Sequence, residues 1–96
     1  MGSNTAPLVK ETLICNRLGL HARAAGRIAE LAAKAAHPVW LRHGDLRVDA
    51  SSIIDILTLG CGKGSSISVI VENQADRAVL EAIVELVEKG FGEENQ

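Results

Sequence analysis

Hydrophobic positions along this chain change period several times, and each change marks an element. Leu8 to Cys15 (LVKETLIC) reads as an imperfectly alternating strand, with Leu13, Ile14 and Cys15 as candidate core positions. Asn16-Arg17-Leu18-Gly19-Leu20 interrupts it. From Ala22 to Ala36 the period becomes helical: Ala25, Ile28, Ala29, Ala32 and Ala35 share a face, with Arg23, Arg27, Glu30 and Lys34 largely off it. Side chains that small imply close packing, most economically against a sheet. His37-Pro38 should end the helix, because proline disfavours the helical region in the residue before it. Val39, Leu41 and His43 then alternate with Trp40 and Arg42, His43-Gly44-Asp45 reads as a hairpin turn, and Leu46 and Val48 continue the returning strand.

Asp49-Ala50-Ser51-Ser52 is a cap signal, and Ser52 with Asp55 fits a capping box ahead of a short helix, Ile53 to Leu59, stopped at Gly60. Gly60, Gly62 and Gly64 surround Lys63 in a tight loop. Ser65 to Val71 predicts a fourth strand with Ile67, Val69 and Val71 inward. A last helix is predicted from about Gln74 to Lys89, its apolar face Ala75, Ala78, Val79, Ala82, Ile83, Leu86 and Val87, with Gly90 as C-cap and 92–96 as tail. Strand, helix, hairpin, short helix, strand and long helix make an α+β fold, with a four-stranded antiparallel or mixed sheet covered on one face.

Composition narrows the function classes. Ninety-six residues suit one domain, 1–96, with an ordered part over about 8–90, a loose leader and an acidic tail. No apolar run approaches a membrane span, and MGSNTAPLVK lacks an apolar signal core, so membrane insertion and secretion are not expected. Cys15 and Cys61 fit reduced thiols of a cytoplasmic protein, and His21, His37 and His43 lack metal-ligand spacing, so no metal or cofactor is expected. Trp40 and Phe91 are the only aromatics and there is no basic stripe, which argues against nucleic acid. Charge is nonetheless uneven: residues 1–48 hold seven basic and three acidic side chains, and 49–96 three and nine.

The chemistry concentrates at Gly19-Leu20-His21-Ala22-Arg23, where a loop becomes a helix. First-turn amides and the helix dipole favour an anion there. Arg23 offers a planar clamp for phosphate oxygens, and Arg17 is a nearby auxiliary. His21 carries a ring nitrogen able to accept a phosphoryl group, although a lone histidine at a helix start also reads as a cap or surface residue. Ser51 and Ser52 read as helix caps or as modification targets. GCGKG lacks the order of a phosphate loop and reads as a plain turn.

Two segments carry a resemblance. NRLGLHARAAGRIAELAAK at 16–34 resembles the active-site segment of HPr, the histidine-containing phosphocarrier family of the bacterial sugar phosphotransferase system. VDASSIIDILTLGCGKGSSISV at 48–69 is similar to that family's second signature, at the matching separation. The resemblance spans about residues 8–90. It implies an open-faced β-sandwich of order βαββαβα, with a four-stranded antiparallel sheet and three helices on one face. It further implies that His21 takes a phosphoryl group on its δ nitrogen from enzyme I and passes it to a histidine of an A-type sugar or nitrogen phosphotransferase domain. Arg23 matches the active-site arginine, and Ser52 the serine modified by an ATP-dependent HPr kinase/phosphorylase. Such a protein is a carrier, not an enzyme, and a monomer is expected.

Ala24 departs from the family's usual proline after the arginine, which points to a specialised paralogue of the nitrogen-related or regulatory branch. Leu20, Ile53, Ile54 and Leu57 are the apolar candidates for partner docking beside His21. Two alternatives stay open: a purely regulatory protein that binds partners through the His21 face, and a module of this fold cooperating with a larger enzyme.

Overall fold

The sheet is organised around its most apolar strand. The computed structural model describes residues 6–93; residues 1–5 of the expected leader and 94–96 of the expected tail lie outside it. Ser66–Val71 (β4) pairs antiparallel with Leu8–Leu13 (β1) on one side and Val39–His43 (β2) on the other. Leu46–Asp49 (β3) returns from β2 through Gly44-Asp45, giving the antiparallel order β1-β4-β2-β3. Every strand turns one row of side chains toward the helices Ala22–Ala32 (α1), Ile53–Thr58 (α2) and Arg77–Glu88 (α3). The core between the layers contains Ile28, Leu41, Ile56, Ile67, Val69, Ile83 and Val87, all fully buried. This is the open-faced α+β architecture expected from the sequence. No helix among the described residues is long and apolar enough to cross a membrane.

Register explains where pattern reading went astray on the strands. Leu13 pairs with Ser66 and shares a face with Glu11, opposite Ser68, on the side without helices; it is 61% exposed and not core. Ile14, beyond the strand end, is the buried one, and Cys15 is only half-buried. Leu46 sits opposite His43 at the hairpin end and is exposed, leaving Val48 as the buried residue of β3.

The helices are shifted relative to expectation for one shared reason, the buried carboxylate of Asp76. A 3-10 turn at Gln74–Asp76, capped by the Asn73 side chain on the Ala75 amide (2.8 Å), precedes α3. From there Asp76 accepts the amides of Ala36 (2.8 Å) and His37 (2.9 Å). Those bonds hold the chain after α1 in turns, so the helix ends at Ala32 and not at Ala36, and Ala35 is only partly buried. With α3 starting at Arg77, its buried face is Leu80, Ile83, Val84 and Val87; Ala75 and Ala78 are exposed, and Val79, Ala82 and Leu86 flank the core. The true face includes Leu80 and Val84, absent from the expected one.

The loop before α1 rests on the loop after α2. Gly19 has φ +65°, and a Cβ there would lie 2.5 Å from the Cys61 carbonyl oxygen and 2.7 Å from Gly62 Cα, so only glycine allows this approach. Leu20 N–H donates to that same carbonyl (3.0 Å), and Gly64 N–H to Ile14 O (2.7 Å). GCGKG is therefore a turn, and also the bed on which the His21 loop lies.

Truncating Val84 to Ala should cost about 2 kcal/mol, in the range for deleted buried aliphatic groups, whereas Ala78→Ser should stay within about 0.5 kcal/mol. Urea unfolding of both variants checks the assignment; equal losses would restore the face read from the pattern.

Candidate functional site

His21 is the N-cap of α1, with extended φ/ψ of −77° and 177°, and its side chain makes no bond to the helix it caps. Helical bonding begins with Ala25 N–H on His21 O (2.8 Å), so the amides of Ala22, Arg23 and Ala24 have no intrahelical acceptor. The first turn carries no acidic residue of its own. A cavity of about 430 Å³ opens over this end, lined by Arg17, Arg23, Arg27 and Ala24 together with His21 and Glu93. Three of the expected site residues, His21, Arg23 and Arg17, thus meet around one space. Both Arg17 and Arg23 are exposed, and neither has a hydrogen-bonded or ionic partner among the described residues.

Sequence reading missed Glu93, Asn16 and Arg27. The pattern predicts a tail over 92–96, yet Glu93 Oε2 lies 2.5 Å from His21 Nε2, and Glu93 Oε1 accepts from Asn16 Nδ2 at 3.0 Å. Asn16 is fully buried and donates from the same nitrogen to Gly19 O (2.9 Å), fixing the loop that leads to His21. The chain reaches this point by curling back at the end of α3. Gly90, Phe91 and Gly92 all have left-handed φ (62°, 59° and 71°), Phe91 is buried, and Arg27 Nη1 donates to its carbonyl at 2.5 Å. A non-glycine in that region costs about 1–3 kcal/mol, so the burial and the arginine bond hold a strained turn in place. One signal was readable: an apolar residue just past a C-cap glycine commonly folds back onto the helix end.

The docking candidates divide. Ile53, Ile54 and Leu57 are exposed on α2, Ile54 at 75%, and α2 lies against α1 with Ile53 beside Gly26. Leu18, unanticipated, is exposed at the cavity wall. Leu20 must be withdrawn: its backbone is tied to Cys61 and its side chain is buried in the core, only 6% exposed. Ser52 caps α2 by accepting from Asp55 N–H (3.2 Å). The reciprocal half of the expected box is missing, because the Ser52 amide donates to Asp49 O instead (3.1 Å). Burial pushes the Cys61 thiol up, as suits an unreactive core residue.

Hydrogen bonds from His21 and then Asn16, with the charges of His21 and Arg23 adding, hold the Glu93 carboxyl below the usual carboxylate range. Its folded pKa is depressed, so its contribution to stability is complete above the ordinary glutamate value of about 4.3 and is lost as pH falls through the lowered one. Urea melts across a pH series should show Glu93→Gln less stable than the parent near neutrality, the gap closing in acid. A gap independent of pH would mean that Glu93 acts by shape and not by charge.

Comparison with known proteins agrees with this picture. The family described as "PTS HPr component phosphorylation site" matches residues 8–89. Phosphocarrier protein NPr of Shewanella violacea is 37% identical over 90% of this chain and 94% of its own length, and phosphocarrier protein HPr of Cupriavidus necator 33% over 90% and 97%. Among solved structures, HPr-C-His from Thermoanaerobacter tengcongensis superposes with a TM-score of 0.82 at 32% identity, covering 91% of this chain and 98% of that one. By matched span, identity and fold together, this chain belongs to the HPr family of phosphotransferase-system phosphocarriers.

Proposed function

We propose that this protein receives a phosphoryl group on His21 Nδ1 from the phosphohistidine of enzyme I and delivers it to a histidine of an A-type phosphotransferase domain. The observation that carries this reading is the uncapped start of α1: a nucleophilic ring beside three amides without helical acceptors, with Arg17 and Arg23 on the same cavity. In-line transfer between two rings needs positioning and charge stabilisation more than covalent machinery. The amides and Arg23 receive the phosphoryl oxygens, and Arg17 adds charge at the rim. Ala24 contributes too. A proline in that position has no N–H, whereas alanine keeps one, in the first turn of α1 and at a residue that lines the cavity. The group is carried and released, so the protein acts as a shuttle and not as an enzyme.

Leu18, Ile53, Ile54 and Leu57 supply the apolar contact around the ring, in an interface small enough to exchange partners quickly. Ser52 lies at the edge of that surface. An ATP-dependent kinase acting there would place a dianionic group among the docking residues, and like charge would then turn away acidic partners.

Incubation with enzyme I and phosphoenolpyruvate, followed by intact-mass measurement, should show one acid-labile phosphoryl adduct, absent in His21→Ala. Arg23→Ala should slow its formation about 10²–10³-fold, the usual cost of losing one transition-state donor. An unmodified parent protein, with the donor shown to be competent, would end the carrier reading. Ser52→Asp keeps an N-cap and adds charge, so it should raise the KM for the phosphorylated donor while the fold stays intact; Ser52→Ala should instead cost about 1 kcal/mol in urea melts and leave KM unchanged. The reverse pattern would reduce Ser52 to a cap.

A further inference from the structure

The face of the sheet turned away from the helices carries chemistry that the His21 site does not use. Register places Val9, Ile70 and Trp40 in one row across it. The next row holds Glu11, Ser68, Arg42 and Arg47. None of these side chains lines the cavity over α1. We propose that this open face is a second docking surface, centred on Arg42, Arg47 and Trp40, for a short acidic peptide segment of a partner protein. Two carboxylates of the segment pair with the arginines, and an apolar neighbour packs on Val9 and Trp40.

Arg42 and Arg47 stand directly opposite each other on β2 and β3, and both are exposed. Like charges in that relation oppose strand pairing, so the hairpin gains nothing from them by itself. Neither forms an ion pair among the described residues. The carboxylates bordering this face are engaged or set apart. Asp49 Oδ1 accepts from the Ser51 amide (2.8 Å) and hydroxyl (2.7 Å), and Glu72 Oε2 from the Trp40 indole (2.9 Å). Glu11 is separated from Arg42 by the strand that carries Ser68. A repulsive pair that nothing in the chain neutralises is relieved by anions from outside, through charge-assisted bonds.

Both guanidinium groups are held in place with donors to spare. Arg47 lies over the Trp40 ring, its central carbon 4.6 Å from the ring centre. Stacking uses the flat face of a guanidinium and leaves the N–H groups at its rim free, which suits a two-pronged bond to a carboxylate. Trp40 is itself pinned by its bond to Glu72, and Arg42 Nη2 reaches Ser68 Oγ at 3.5 Å. Side chains ordered before binding lose less entropy when a partner arrives. Beside them Val9 is 55% exposed, and Ile70 lies between it and Trp40. Tryptophan and arginine together, next to apolar surface, are the residue types on which binding energy concentrates.

The surroundings select the occupant. A sheet face is broad and shallow, so a small molecule would bury little of its surface there. A nucleic acid presents phosphates in an unbroken series, whereas Glu11, Asp49 and Glu72 flank the arginines and would repel those beyond the first two. A segment with two acidic side chains among apolar ones matches cations at the centre and carboxylates at the margin. Such a partner sits across the sheet from the helices and leaves the His21 cavity open.

Trp40 is the only tryptophan, so its fluorescence reports on this face. The probe is a capped hexapeptide with two adjacent glutamates between two leucines and a glycine at each end. Titration should change Trp40 emission saturably and less readily as salt is raised, and should shift amide NMR signals of β1, β2 and β4 but not that of His21. A peptide with lysines in place of the glutamates should have no effect. Arg42→Gln combined with Arg47→Gln should weaken binding about ten-fold or more, with phosphoryl uptake from enzyme I and the urea midpoint unchanged. No saturation below about 5 mM peptide, or equal binding of the lysine peptide, would overturn the proposal. So would a lowered urea midpoint in the double variant, which would make the arginines structural, or lost phosphoryl uptake, which would place them in the carrier's own docking surface. Tighter binding of an oligouridylate would assign the face to nucleic acid, and a dimer that dissociates in the double variant would assign it to a second copy; either result also overturns it. A parent protein that takes no phosphoryl group would remove the carrier reading alone, and the peptide titration would still decide this one.

Discussion

A helix start leaves its first amides without acceptors, and proteins normally cover them with a serine, threonine or aspartate side chain. Here α2 follows that rule through Ser52, and the 3-10 turn before α3 follows it through Asn73. The start of α1 does not: its N-cap is a histidine whose ring turns away from the helix toward Glu93. Unspent donors beside the His21 ring, at the positive end of a helix dipole, are the constraint on which the remainder of the site depends. A side-chain cap would stabilise α1 and occupy donors that are otherwise open to an anion.

That arrangement requires a rigid loop on a short stretch of chain, and the loop has no secondary structure of its own. Stiffness comes from below. Gly19 lies against the Cys61 carbonyl at a distance no Cβ tolerates, Leu20 is bonded to the same oxygen and buried, and Asn16 spans the turn. The loop between α2 and β4 therefore influences His21 although it lines no part of the cavity. This is also why Leu20 is not a surface residue: an anchor for the loop must face inward, and the exposed apolar side chains nearby are Leu18 and those on the outer face of α2.

Local rules reached the element order, the hairpin, both helix-stopping glycines and the meeting of His21 with Arg23, because period, proline and glycine act within a few residues of themselves. What escaped them was decided at long range. Asp76 sets the end of α1 from forty residues away, and nothing near Ala32 encodes that stop. Leu13 is as apolar as Ile14, and only its register against Ser66 shows that it faces the open side. Glu93 was hardest to see: five polar or small residues after a C-cap look like solvated tail, and seventy-two residues separate the carboxylate from the ring it holds.

Placing the carboxylate on the last described turn has a physical consequence for the order in which the site forms. The uncapped amides and Arg23 belong to α1 and exist once that helix packs. Glu93 arrives only when α3 is complete, Phe91 has entered the core and Arg27 has taken its carbonyl. The orientation of the His21 ring is thus coupled to closure of the whole two-layer structure, from the loop after the first strand to the turn after the last helix. A chain with its C-terminal layer loosened would keep the uncapped start of α1 and lose the contact that orients the His21 ring. Its first-turn amides would still lack helical acceptors, but the ring would no longer be tied to Glu93.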